Sequence, residues 1–187
     1  MRNILKSTIL ALTAVLVMSC SGELTDNAAP VELVVTNTQN LTRLDIAPND
    51  DVDCDEFIGT INMQIFPKND SAAGALTQVR VSRYRVTYRR TDGGTQVPAS
   101  FVRSIDTLIG IGDTAGSNFT VIQSDALRQA PFAALQPQNG GRDVETGRDI
   151  IRLEVMLEVF GETLGGDNVS DSTAFPLEFC YDCDGCF

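Results

Sequence analysis

The chain has 187 residues, a formal net charge of −11, and neither histidine nor tryptophan. That charge balance argues against nucleic acid as a partner, because nucleic-acid binding demands a net basic face. Without histidine, Ser-His-Asp and Cys-His catalysis, histidine-ligated zinc and histidine proton shuttles are all excluded, and no cofactor is expected.

The chain opens with Arg2 and Lys6, followed by an apolar segment from Ser7 to Met18 rich in Ile, Leu, Val and Ala. A bilayer-spanning helix needs ~20 apolar residues, so this segment is too short to be one. A positive start, a short apolar core and the small Ser19 make the pattern of a signal peptide, and residues 1–19 are set apart from the fold. Their removal leaves 168 residues and takes the formal charge to −13, because the leader carries two basic residues and no acid. That length is one domain's worth of chain. The run Leu16-Val17-Met18-Ser19-Cys20 resembles a bacterial lipobox, with an aliphatic residue three places before the cysteine. The resemblance implies a diacylglyceryl group on Cys20, cleavage after Ser19 and acylation of the new N-terminus. Several acyl chains would hold firmly, since each buried methylene contributes about 0.8 kcal/mol. In a Gram-negative cell Ser21, rather than aspartate, after the cysteine implies the outer membrane. Residues 20–30 are polar and small, and are expected to be a flexible tether.

From Val31 onward the pattern is β. A short strand is expected over Val31 to Thr36, then a long polar connection from Asn37 to Glu56. The next strand, Phe57 to Phe66, sets Ile61, Met63 and Ile65 on one face at period two. The segment Val79 to Arg90 changes parity. Val79 and Val81 are apolar at odd positions, then Tyr84, Val86 and Tyr88 at even ones, which predicts a β-bulge near Ser82 and Arg83. Asp92-Gly93-Gly94 predicts a turn. Further strands are expected over Phe101 to Ile111 and Asn118 to Gln123. One or two helical turns are expected over Ser124 to Leu135, with Ser124 as N-cap and Pro131 interrupting. Gln136 to Arg148 reads as a Gly- and Asp-rich loop. The longest strand, Asp149 to Phe160, lines Ile151, Leu153, Val155, Leu157 and Val159 on one face. After a turn over Gly161 to Asn168, Val169 to Cys180 returns with Phe175, Leu177 and Phe179 inward, and Pro176 marks it as an edge strand.

About seven alternating strands separated by turn signals predict an all-β protein, a single antiparallel β-sandwich over residues 31–187 with a short helical turn and a cysteine-rich C-terminus. The order and spacing of the strands over residues 31–180 resemble an immunoglobulin or fibronectin-III module, without its core tryptophan or inter-sheet disulfide. With the lipobox and the C-terminal cysteines, the chain resembles β-sandwich envelope lipoproteins of Gram-negative bacteria.

Three groups of residues are candidate sites. The first is Cys54 with Cys180, Cys183 and Cys186. With Cys20 lipidated, four thiols remain in an oxidising compartment, and two disulfides in one of three pairings are expected. In an immunoglobulin-like sandwich the start of the second strand and the end of the last share a pole. A bridge from Cys54 to the C-terminal cluster would therefore fit, and by loop entropy would stabilise by about 4–5 kcal/mol. The alternative is a thiolate metal or Fe–S site. The second group, Asp51, Asp53, Asp55 and Glu56, alternates carboxylates as calcium ligands do but lacks the glycine and distant glutamate of an EF-hand loop. A solvated acidic loop is the favoured account. The third is the row Arg80, Arg83, Arg85 and Arg89, a possible anion-binding face. If its strand neighbours Asp149 to Phe160, cross-strand pairing of Arg85 and Arg89 with Glu158 and Glu154 makes the row structural.

The reading favoured is a membrane-anchored binding or scaffolding lipoprotein that is not an enzyme, with an envelope protein or polysaccharide as partner. The alternative is a ligand- or metal-binding domain using the Cys/Asp-rich pole. The end of the first strand, Cys54, the C-terminal cysteines, Asp92-Gly93 and residues 124–148 are expected at one pole. The turn over Gly161 to Asn168 is expected at the other, on the membrane side.

Overall fold

Wherever apolar residues recur at period two, the chain is strand. The computed structural model describes residues 29–38, 43–47, 57–69 and 74–183. Among these, eight strands form: β1 (Val31–Asn37), β2 (Arg43–Asp45), β3 (Phe57–Pro67), β4 (Val79–Arg90), β5 (Phe101–Ile109), β6 (Thr114–Ile122), β7 (Ile150–Thr163) and β8 (Asn168–Cys180). They make two sheets, β1-β3-β6 and β2-β8-β7-β4-β5. This is the expected all-β sandwich, with the strand order of an immunoglobulin-like domain.

The core lies between the sheets and is supplied mainly by the unbroken inward faces of β3, β4 and β7. Ile151, Leu153, Val155, Leu157 and Val159 are fully buried, as are Ile61 and Met63 on the facing sheet. Two tyrosines of β4 latch the sheets together. The Tyr88 hydroxyl donates to the Val121 carbonyl at 2.9 Å, and the Tyr84 hydroxyl accepts from the Thr120 amide at 3.0 Å. Burial pushes the Tyr88 hydroxyl well above its ordinary pKa, so it stays protonated and able to donate. Phe119 bridges the same interface, edge-on to Tyr84 and Phe175 at ring-centre distances of 6.3 and 6.0 Å.

The bulge in β4 is real. Register shifts between Val81 and Arg83 against both neighbouring strands, and burial changes parity there as the apolar residues do. The extra residue brings β4 backbone over Gly161 of β7. A Cβ at Gly161 would lie 2.8 Å from Val79 Cγ1 and 3.0 Å from the Arg80 carbonyl oxygen, so this position accepts only glycine without a shift.

Five sequence expectations are corrected. The connection from Asn37 to Glu56 contains β2, which pairs in parallel with the end of β8, so the sandwich is not wholly antiparallel. β8 is consequently an edge only in part: Pro176 is exposed opposite Glu154, just before the three residues that β2 covers. β6 begins at Thr114, four residues earlier than expected, because Thr114 and Gly116 pair with Gln64 and Asn62 although their own alternation is weak. β7 runs on to Thr163, so Gly161 belongs to a strand and not to the turn. Ser124 opens a 3-10 turn (Ser124–Arg128) but caps nothing: Gln123 precedes the turn, and no side-chain capping bond forms.

The connections sort to two poles as expected. Pro30, the β3–β4 connection, the β5–β6 turn and the β7–β8 turn share one pole, tied by Lys68 N to Pro30 O at 3.0 Å and Gly165 N to Leu76 O at 2.9 Å. The end of β1, the start of β3, Asp92, residues 123–149 and Cys180 share the other, with Ile46 N to Cys180 O at 2.9 Å and Thr91 N to Arg152 O at 3.0 Å.

Candidate functional site

Strand alternation that buries one face of β4 must present the other to solvent, and this is where the arginine row lies. Register sets Arg85 opposite Glu158 and Arg89 opposite Glu154 on β7, and both pairs form, the second at 2.5 Å. Arg80 finds a partner that sequence reasoning missed, Asp106 of β5, through two bonds of 2.8 and 3.0 Å. Those bonds and the facing charge lower the Asp106 pKa. The ladder continues across the sheet, where Glu178 accepts from Arg43 at 3.0 Å and from Arg152 at 2.8 Å. Exposed pairs of this kind contribute little to stability. Three of the four arginines are therefore neutralised as sheet-facing structure.

Arg83 differs. Among the described residues it has no carboxylate partner. Its guanidinium carbon lies 5.0 Å from the Phe160 ring centre, within cation–π range, and that of Arg85 lies 5.6 Å from the same centre. The bulge turns it to the outer face beside an open, shallow cavity of about 390 Å³, whose lining includes Ser82, Phe160, Glu162, Asn168 and Ser170. A guanidinium without a carboxylate partner keeps donors with which to receive a carboxylate ligand.

At the other pole, Cys180 and Cys183 form a disulfide with Cα atoms 6.0 Å apart. Asp45, the last residue of β2, holds the intervening loop. Its buried carboxylate accepts the amides of Ala47 at 2.8 Å, Asp182 at 2.9 Å and Cys183 at 2.7 Å. Asp182 turns the chain at φ +55, in the left-handed region that aspartate tolerates. The loop is thus stapled covalently and seated on a carboxylate. Replacing Asp45 by alanine strands three amides and is expected to cost about 2–3 kcal/mol. Urea unfolding measures this, and faster hydrogen exchange at Asp182 and Cys183 would localise it.

Cys20, Cys54, Cys186, Asp51, Asp53, Asp55 and Glu56 lie outside the described residues. Among the described residues no three Cys, Asp or Glu side chains assemble into a metal set. Ala47 and Phe57, on either side of the acidic run, both lie at the disulfide pole.

Sequence reasoning missed a charged cluster at the same pole. Arg90 ends β4 with its side chain almost wholly buried. It donates to Asp92 at 2.7 and 2.9 Å and to Asp143 at 2.8 Å, while Glu145 lies 3.8 Å away. Burial opposes ionisation of Asp92, yet Arg90 and the amides of Arg152 and Gly94 outweigh it and hold its pKa at about 2. Asp143 is likewise lowered against its burial, by Arg90 and by Thr146. Glu145 accepts the amides of Gln96 and Thr95 at 2.8 and 2.6 Å, which lowers its pKa too. The cluster ties the β4–β5 connection to the β6–β7 connection. Its one sequence signal was the end of the inward row of β4, where Arg90 takes a position that apolar residues held before it.

No protein-family model matches this chain, and no curated protein matches it in sequence.

Proposed function

We propose that this chain is a lipid-anchored binding module of a bacterial envelope, held at the outer membrane through Cys20 and acting without catalysis. Its partner is an envelope protein or polysaccharide that presents a carboxylate to the outer face of the five-stranded sheet. The observation that carries this reading is Arg83. Its neighbours in the row are spent on cross-strand pairs, whereas Arg83 lies against Phe160 beside an open cavity whose lining includes Ser82, Asn168, Ser170 and the carboxylate-bearing Glu162. The lipobox resemblance at Leu16 to Cys20 supports the anchor. The alternative, metal or ligand binding at the Cys/Asp pole, has less support: the disulfide takes two of its thiols, and Asp45 is occupied by three amides.

Titration with galacturonate oligomers in one arm and peptides with a free C-terminal carboxylate in the other tests the site. One ligand should shift the Arg83 Nε resonance of the wild type, with the shift lost in Arg83→Gln and weakened by salt. A wild-type signal that neither ligand moves rejects Arg83 as the contact. Fatty-acid labelling of the wild type but not of Cys20→Ala tests the anchor separately.

A further inference from the structure

β5 is an edge of the five-stranded sheet, with β4 on one side and no strand on the other among the described residues. Val102 and Leu108 on its outer face are 57% and 56% exposed, and Phe101 and Ile105 on its inner face are half-buried against the rim of the core. Burial alternates along all nine residues of β5, although in the ladder with β4 Ile105 and Asp106 together lie opposite Ser82 alone, and an edge of this kind offers a row of backbone donors and acceptors to a further strand.

The sequence of the edge says which strand. Phe101-Val102-Arg103-Ser104-Ile105-Asp106-Thr107-Leu108-Ile109 is apolar at its two first, its middle and its two last positions, so its pattern is symmetric about Ile105. We propose that β5 is the interface of a two-fold homodimer, in which it pairs antiparallel with β5 of a second copy, centred on Ile105. In that register Phe101 faces Ile109, Val102 faces Leu108 and Ile105 faces its own copy. The polar residues also match, Arg103 opposite Thr107 and Ser104 opposite Asp106, so no like charges meet. Sliding the pair two residues one way sets Val102 against Asp106 and Arg103 against Ile105. Sliding it the other way sets Asp106 against its own copy. One register satisfies both faces, and this is how a strand pairing becomes specific. The same patch on both subunits closes the assembly at two.

Arg103, an inward-pointing charge that ordinarily protects an edge, does not block the pairing. It already donates to the Thr120 hydroxyl at 2.9 Å and lies 5.8 Å over the Phe101 ring. The chain's acidity opposes association of two copies, so the dimer should tighten as salt screens that repulsion. A nine-residue edge is smaller than a standard interface, and the dissociation constant should be on the order of micromolar.

Sedimentation velocity of the full chain from about 1 to 200 µM tests this. The expected result is a dimer fraction that rises with concentration and with salt. Val102→Lys alone and Leu108→Glu alone should each weaken the dimer at least about tenfold, because each sets a charge against an apolar residue twice over. The double variant V102K/L108E sets opposite charges against each other at both ends and should recover the dimer. Both positions are exposed, and unchanged circular dichroism and unfolding midpoints confirm that the variants fold. A monomer at every concentration overturns the proposal. So does a dimer that the single variants leave intact, or a double variant no better than the singles.

Discussion

Replacing Arg90 by alanine is expected to cost the domain about 3–5 kcal/mol. The side chain is 1% exposed and those of Asp92 and Asp143 are 0% exposed, so the exchange leaves two buried carboxylates facing each other without their cation. The amides of Arg152 and Gly94 and the Thr146 donors remain, but each counts for less than burial does. For a domain of this size the loss corresponds to a fall in Tm of about 10 °C. Arg90→Lys keeps the charge but not the fork that reaches both aspartates, and should fall between the two.

The pH dependence carries the sign of the mechanism. The folded-state pKa of Asp92, about 2, lies below its ordinary 3.8, so its contribution is present above that ordinary value and disappears as pH falls toward 2. Asp143 acts in the same direction. In the alanine variant the contribution is already lost at neutral pH, and acid relieves the stranded carboxylates by protonating them. The stability gap between wild type and variant should therefore narrow below about pH 4. Urea unfolding at a series of pH values measures it, and a gap that stays constant down to pH 3 would show that the cluster does not act through charge.

Phe132→Ala is the second large effect, about 3–5 kcal/mol. Phe132 lies in the long connection between β6 and β7, in a 3-10 turn (Phe132–Leu135). It is nonetheless fully buried, with its ring 4.4 Å from that of Phe179. Leu135 is buried beside it in the core. If the connection is part of the core, the variant should unfold in one step with an unchanged urea slope and a lowered midpoint. A loss under about 1 kcal/mol would mean that the turn detaches without disturbing the sheets. Because Arg90 and Phe132 both fasten residues 123–149, their combined cost should be less than the sum of the two.

Strand positions were largely legible because alternation at period two is a local report of which face is buried. The parity change between Val81 and Tyr84 located the bulge for the same reason, and the facing signs of Arg85, Arg89, Glu154 and Glu158 foretold their pairing once β4 and β7 were neighbours. β2 was not legible, because three residues carry no period and its pairing with β8 spans the whole domain. Arg83 stood in the sequence as one of four equivalent arginines. Only the cross-strand partners of the other three set it apart.

The sequence by itself therefore determined the class of fold, the inward residues of each strand, the acidic character and the exclusion of histidine chemistry. Tertiary structure decided which charges are buried and which cysteines meet. Arg90 and Asp143 are 53 residues apart and Asp45 and Cys183 are 138 apart, distances over which no local pattern carries information. A buried charge is tolerated only where partners converge on it, and that convergence is made by the packing of connections that look, residue by residue, like solvated loop.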